Sequence, residues 1–303
     1  MGIRLYKKPR LTEPVLIASW PGIGNIGIIA VEMLREAVRA EEFGEIEPWD
    51  FLYPERVLIK DGELEGLEFP SSKFYFKKTE KKDLIFFVGE EQPSEGRGFY
   101  AEGRKAYQMA NLVLDVALKF GCRRVYTSGA AVAPIHHTMI PRVWAVPNTD
   151  DLIHEVKSYE NTILMSDIEG RGGQGSIAGL NGLLLGVARE RGLDAICMMG
   201  EIPIYLQGFA LPYPKASKSV LEVLTASLGI KIGMGEIDEL IDRSERGIEK
   251  LYMRFPLEVR EQLDKLEYIT YAKPTEPGPI TEEDKKKILE NIDKFFKKET
   301  KGD

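Results

Sequence analysis

Disulfide chemistry has little to work with in this chain. Its 303 residues hold two cysteines, Cys122 and Cys197, each set among apolar residues and far apart, which excludes a disulfide framework and any CxxC metal pattern. Histidine is scarcer still relative to the chain's length, with three in all. His136 and His137 are neighbours; on an extended segment their side chains point to opposite sides, so no metal site is expected. Positive charge is also short: 41 Lys and Arg stand against 48 Asp and Glu, a formal net charge of -7, so nucleic acid is not an expected partner. No apolar run approaches the roughly 20 residues of a membrane helix. The stretch Val15 to Ser19, behind the basic segment Met1 to Arg10, is too short for a signal peptide, and the expected location is the cytoplasm, with no membrane partner. What remains is core-forming material: a hydrophobic fraction of 43%, with 13 Phe and 12 Tyr.

Short apolar runs recur at Val15 to Ser19, Leu84 to Val88, Arg124 to Ser128, Thr162 to Met165 and Ala195 to Met199, and read as buried strands. Between them, Ile26 to Val38, Tyr100 to Phe120, Ser176 to Arg191 and Ala216 to Leu228 carry apolar residues at helical spacing. That alternation predicts an α/β fold with a mainly parallel twisted sheet flanked by helices. Phe43 to Lys82 breaks the rhythm with turn signals at Asp61-Gly62 and reads as an antiparallel insertion. From Glu236 the pattern turns wholly helical, with Ile237 to Met253 and Leu257 to Leu266 separated by Phe255-Pro256. The expected organisation is an α/β domain over 1–235, a helical appendage over 236–271, a stiff Pro-rich linker over 272–280 and a final helix over 281–303. Leu289, Ile292, Phe295 and Phe296 give that last helix an apolar stripe suited to docking on the body or on a neighbouring subunit.

Three groups of residues carry candidate chemistry. Trp20-Pro21-Gly22-Ile23-Gly24-Asn25-Ile26-Gly27 follows a strand and opens a helix, the setting of a GxGxxG dinucleotide turn. The expected sequel, an apolar strand ending in an acid about 20 residues on, is missing at Glu41, Glu42 and Glu45, which favours tight strand-to-helix packing over NAD. The loop from Gly170 through Gly172, Gly173 and Gly175 to Ser176 is rich in backbone donors but lacks the Gly-Lys-Ser/Thr order of a P-loop. With Gly179, Gly182 and Gly186 it points to close helix packing, or else to an anion site. Last, Glu90 and Gln92 follow the Leu84 strand, while Glu201 and Tyr205 follow the Ala195 strand. Two carboxylates on the ligand-binding rim of an open sheet are candidates for an acid and a base, against a capping role in their loops. No GxSxG surrounds Ser128, and no cofactor is expected.

In order along the chain, the W-P-G-x-G-N-x-G turn, G-E-x-Q-P after a strand, a strand ending in S-G, G-x-G-G-x-G-S-I-x-G and E-I-P-x-Y-L resemble the PAC2 family, the proteasome assembly chaperone 2 type, from Val15 to Leu228. The resemblance implies a fold related to nucleoside phosphorylases and peptidyl hydrolases, and self-association, with a trimer the leading expectation. It also implies help in assembling proteasome α-rings or binding to proteasome α-subunits. Proteasome-binding members often carry a C-terminal hydrophobic-Tyr-any-residue tail; this chain ends Glu299-Thr300-Lys301-Gly302-Asp303, so docking by that tail is not expected. The function expected is therefore a protein-binding, chaperone-like oligomer rather than an enzyme. The ligand- or partner-binding residues expected for it are Gly22, Gly24, Asn25, Gly27, Gln92, Gly172, Gly173, Ser176 and Tyr205; the alternative is a nucleoside- or anion-binding enzyme or hydrolase that uses the strand-end rim, with Glu90 and Glu201 as candidate catalytic residues.

Overall fold

The computed structural model describes residues 2–93, 103–168 and 175–269. The linker, the final helix, Gly172 and Gly173 lie outside the described residues. In chain order the elements are β1 (Ile3–Leu5), β2 (Val15–Ser19), α1 (Ile26–Ala37), β3 (Glu41–Ile46), β4 (Arg56–Lys60), β5 (Glu63–Glu68), β6 (Ser72–Lys77) and β7 (Leu84–Gly89). There follow α2 (Gly103–Lys119), β8 (Arg124–Ala133), β9 (Val143–Pro147), α3 (Asp151–Lys157), β10 (Thr162–Leu164), α4 (Gly179–Glu190), β11 (Asp194–Pro203), α5 (Pro214–Leu228), α6 (Gly235–Tyr252) and α7 (Leu257–Asp264).

A nine-stranded sheet runs in the order β1-β3-β6-β7-β2-β8-β11-β9-β10. Its centre, β7-β2-β8-β11, is parallel throughout, and antiparallel strands extend it on both sides. Every residue of β2 and of β7 is buried, as strands covered on both faces must be. Period-2 alternation sorts their side chains into two cores. Leu16, Ala18, Ile85 and Phe87 meet Met109, Val113, Leu180 and Leu184 of α2 and α4 on one face. Val15, Ile17, Leu84 and Phe86 meet Ala30, Leu34, Val220 and Leu224 of α1 and α5 on the other. The expected α/β architecture is borne out: a parallel-centred sheet between two helical layers.

Local signals set the helix limits. Pro214 occupies the first turn of α5, where its missing N–H costs nothing, and Gly229 closes that helix in the left-handed conformation at φ 65°. The insertion is antiparallel, with β3 on β6 and β6 on β7, and it projects a separate ribbon, β4 on β5. Sequence patterning passed over β1, β9 and α3. Those are short elements, of three, five and seven residues. The helical segment that follows packs back onto the body: α6 buries Ile237, Ile248 and Tyr252, the first two within the α1/α5 core.

Candidate functional site

The turn after β2 owes its composition to backbone geometry. Gly24 and Asn25 sit in left-handed conformations, at φ 62° and 50°, so that the chain can turn directly from strand to helix. Gly24 accepts a backbone hydrogen bond from Tyr213 at 2.8 Å, which ties the turn to the start of α5. Gly27 is the close approach: a Cβ there would lie 2.4 Å from the Ser128 carbonyl oxygen, so α1 rests on the backbone of β8. Gly22 is extended and a Cβ on it would meet nothing. Beneath the turn, Ser128 Oγ donates to Ser19 Oγ at 3.2 Å, and a Cβ on Gly89 would collide with the buried Trp20 indole.

The acidic segment from Glu41 forms β3, which pairs with β1 and β6 and not with β2. A dinucleotide fold would set its second parallel strand beside the first, so packing, not NAD, accounts for this turn.

Gln92 knits the rim together. Its side-chain NH2 donates to the Pro21 carbonyl at 2.6 Å, and its side-chain oxygen accepts from the Leu180 N–H at 2.9 Å, at the first turn of α4. Gly179, at φ 79°, leaves room for that amide, and Gly182 approaches the Ile177 carbonyl closely, whereas Gly186 has open space around it. Ser176 is exposed beside Gly175.

The two candidate acids are not brought together. Glu90 is exposed at the end of β7, where its carboxylate accepts the Ser71 N–H at 2.6 Å and its own N–H donates to the Ser71 carbonyl at 2.8 Å. It caps the β6–β7 pairing. Glu201 lies beyond β2 and β8, only 1% exposed. Its oxygens accept the Arg142 N–H at 2.9 Å and the Trp144 indole N–H at 2.8 Å, and the Arg142 guanidinium stands 3.3 Å away. A buried carboxylate bonded on both oxygens holds β9 to β11.

Tyr205 belongs to a cluster that sequence reasoning did not assemble. Its hydroxyl accepts the His137 backbone N–H at 2.8 Å and bonds His137 Nδ1 at 2.7 Å, and burial raises its pKa well above the usual tyrosine value. The rings of His136 and His137 are 4.1 Å apart, and Tyr252 of α6 stands 4.8 Å from His137. The expectation of opposed histidines fails because residues 137 and 138 form a turn, not extended chain, closed by the Met139 N–H on the His136 carbonyl at 3.1 Å. From the helical segment, Glu249 approaches His137 Nε2 at 3.5 Å and Glu267 approaches His136 Nδ1 at 3.0 Å. Tyr252 donates to Asp264, and Lys215 of α5 bonds the His137 carbonyl at 3.0 Å and Glu245 at 2.9 Å. Burial and the neighbouring His136 together push the His137 pKa below its ordinary value. The cluster clasps α6 and the turn after α7 to the body. The adjacent histidines were the visible signal, but Tyr205 lies 68 positions further on and Lys215 78 from His137, and the partners in the helical segment lie further still. Among the described residues no group of three or more His, Cys, Asp and Glu is arranged to hold a metal ion, and no helix is long and apolar enough to cross a membrane.

Comparison with known proteins agrees with this frame. The PAC2 family model matches residues 16–252. An uncharacterized protein of Methanocaldococcus jannaschii is 31% identical over 242 residues, which cover 80% of this chain and 84% of that protein. The crystal structure of PbaB of Pyrococcus furiosus, an archaeal proteasome activator, is 30% identical with a TM-score of 0.68, over 82% of this chain and 97% of that one. PbaA of the same organism, an archaeal homolog of proteasome-assembly chaperone, is 20% identical with a TM-score of 0.60, over 88% and 98%.

Proposed function

The chain belongs to the PAC2 family, and from that premise we propose that it is a protein-binding, chaperone-like oligomer that engages proteasome α-subunits in the cytoplasm and performs no chemistry of its own. The likeness to the proteasome activator PbaB carries the reading, because it joins sequence and fold over most of both chains. The site geometry supports it. Glu201 is consumed in holding β9, Glu90 in capping β6–β7, and the glycine turn in seating α1 on β8. The assembly expected is a homo-oligomer, a trimer first among the possibilities.

Native mass spectrometry of the full chain with purified proteasome α-subunits tests both halves. A mixed complex is the expected result, and peptide hydrolysis by the matching proteasome should change when the chain is added. Homo-oligomers alone at micromolar concentration, with hydrolysis unaltered, would refute the proteasome reading.

A further inference from the structure

The described chain ends at Ile269, and residues 270–303 follow it in sequence. Their pattern predicts a helix over 281–303 with Leu289, Ile292 and Phe296 at i, i+3 and i+7 and Phe295 beside them. A lone helix is marginal in water and depends on packing its apolar face against something else. The histidine clasp fixes where this segment leaves the body. Glu267 stands 3.0 Å from His136, the two histidine rings are 4.1 Å apart, and Glu249 of α6 stands 3.5 Å from His137. The segment therefore departs beside the C-terminal half of α6.

Just back along α6 from Glu249, Gly247 lines an apolar groove of about 310 Å³. Its walls are Ile29 of α1, Leu211, Pro212 and Pro214 at the approach to α5, and Leu240 of α6. Its two polar members are engaged locally: Ser244 Oγ donates to the Pro212 carbonyl at 2.9 Å, and Arg243 Nε to the Glu239 carbonyl at 3.3 Å. Leu211 is left 40% exposed. Gly247 is an independent sign. It lies inside α6, where glycine weakens a helix relative to alanine, and a Cβ on it would meet nothing within 4 Å, so packing among the described residues does not call for it. A helix laid against α6 at that point would. An apolar cavity of roughly 150 Å³ holds one benzene ring, so the groove has room for about two rings, as Phe295 and Phe296 supply. The nine linker residues 272–280 reach up to about 30 Å when extended, whereas Leu240 lies about 14 Å from Glu249 along the axis of α6. Tethering by so short a linker favours the groove of the same chain over that of a neighbour. We propose that the apolar stripe of segment 281–303 lies in this groove of its own chain, with Phe295 and Phe296 entering between α1, α6 and the start of α5. The body then carries a helix-binding surface that its own C-terminal segment fills, and an amphipathic helix of another protein has to displace it. The contact depends on neither self-association nor proteasome binding.

The full-length chain carrying the photo-cross-linker p-benzoylphenylalanine in place of Phe295 tests this. Normal and nitrogen-15-labelled copies are mixed, irradiated, and mapped by peptide mass spectrometry. The expected links join the segment to α1, α6 or residues 211–214, and each linked pair is of one isotopic form. Links that pair a normal with a labelled peptide would overturn the proposal in favour of a neighbouring copy. Links to other parts of the body, or none to protein, would overturn it outright. As an independent arm, Gly247→Phe fills the groove from a position whose Cβ meets nothing. It should lower the yield of the groove links at least about tenfold, the worth of one apolar side chain kept from its pocket. Amide exchange in β2 and β8 should stay as slow as in the unsubstituted chain, which shows the body intact. An unchanged yield in that variant would also sink the proposal.

Discussion

The strand-end rim and the β4–β5 ribbon hold opposite kinds of residue in opposite circumstances. The rim gathers the polar and glycine-rich motifs that elsewhere bind phosphates or move protons, yet their central members are tied into packing: Gln92 between two loops, Glu201 between two strands, Gly27 against backbone. The ribbon carries no motif, yet its aliphatic side chains stand in water. A buried polar group with all its bonds made has finished its task inside the fold, whereas an exposed apolar face is an unfinished one. In this molecule, recognition is better sought where burial is incomplete than where the motifs are.

The sharpest way to break that contrast is to treat Glu201 as though it were catalytic and remove it. Glu201→Ala leaves the Trp144 indole N–H and the Arg142 amide buried without their acceptor, and should cost about 3–5 kcal/mol in urea unfolding. A loss below about 1 kcal/mol would mean that the carboxylate is dispensable to the fold and held there for another purpose. Gly27→Ala comes next. Its added methyl group would press on the Ser128 carbonyl, and the shift of α1 should cost about 1–3 kcal/mol by the same measurement. Unchanged stability would show that the close approach relaxes freely and that the glycine serves something other than packing.

Much of this fold was legible because burial on both faces writes itself into sequence. β2 and β7 are continuous apolar runs, and α1, α4 and α5 repeat their apolar residues at helical spacing. β9 was not legible, because its place beside β11 depends on Trp144 reaching Glu201, a pairing across 57 positions. The rim motifs were visible as residues but not as roles. Periodicity places Glu90 and Glu201 at strand ends; it does not say that one would bond Ser71 and the other Trp144. The Asp61-Gly62 turn was visible too, but only exposure distinguishes a ribbon that projects from one that packs.

The smallest effect expected concerns the histidine clasp, which lies between the two extremes: packed, yet made of groups that titrate. His137 accepts a proton less readily in the folded chain than in water, because it is partly buried and faces His136, with Lys215 adding to the effect and Glu249 of α6 opposing it. The hydrogen bonds agree. With the backbone N–H of His137 donating to the Tyr205 oxygen, the Tyr205 O–H is free to donate to Nδ1 of a neutral imidazole. A base whose folded pKa is lowered contributes stability that is fully present above its unfolded pKa of about 6.5 and declines as pH falls below it, since the unfolded chain then binds more protons. Glu249, which faces His137 from α6, attracts the protonated ring and makes the decline gradual. Amide hydrogen exchange in α6 and α7 should therefore quicken, after correction for intrinsic rates, between pH 7 and pH 5 relative to exchange in β2. His137→Gln should flatten that difference, and a wild-type profile already flat across this range would show that the clasp does not respond to His137 protonation.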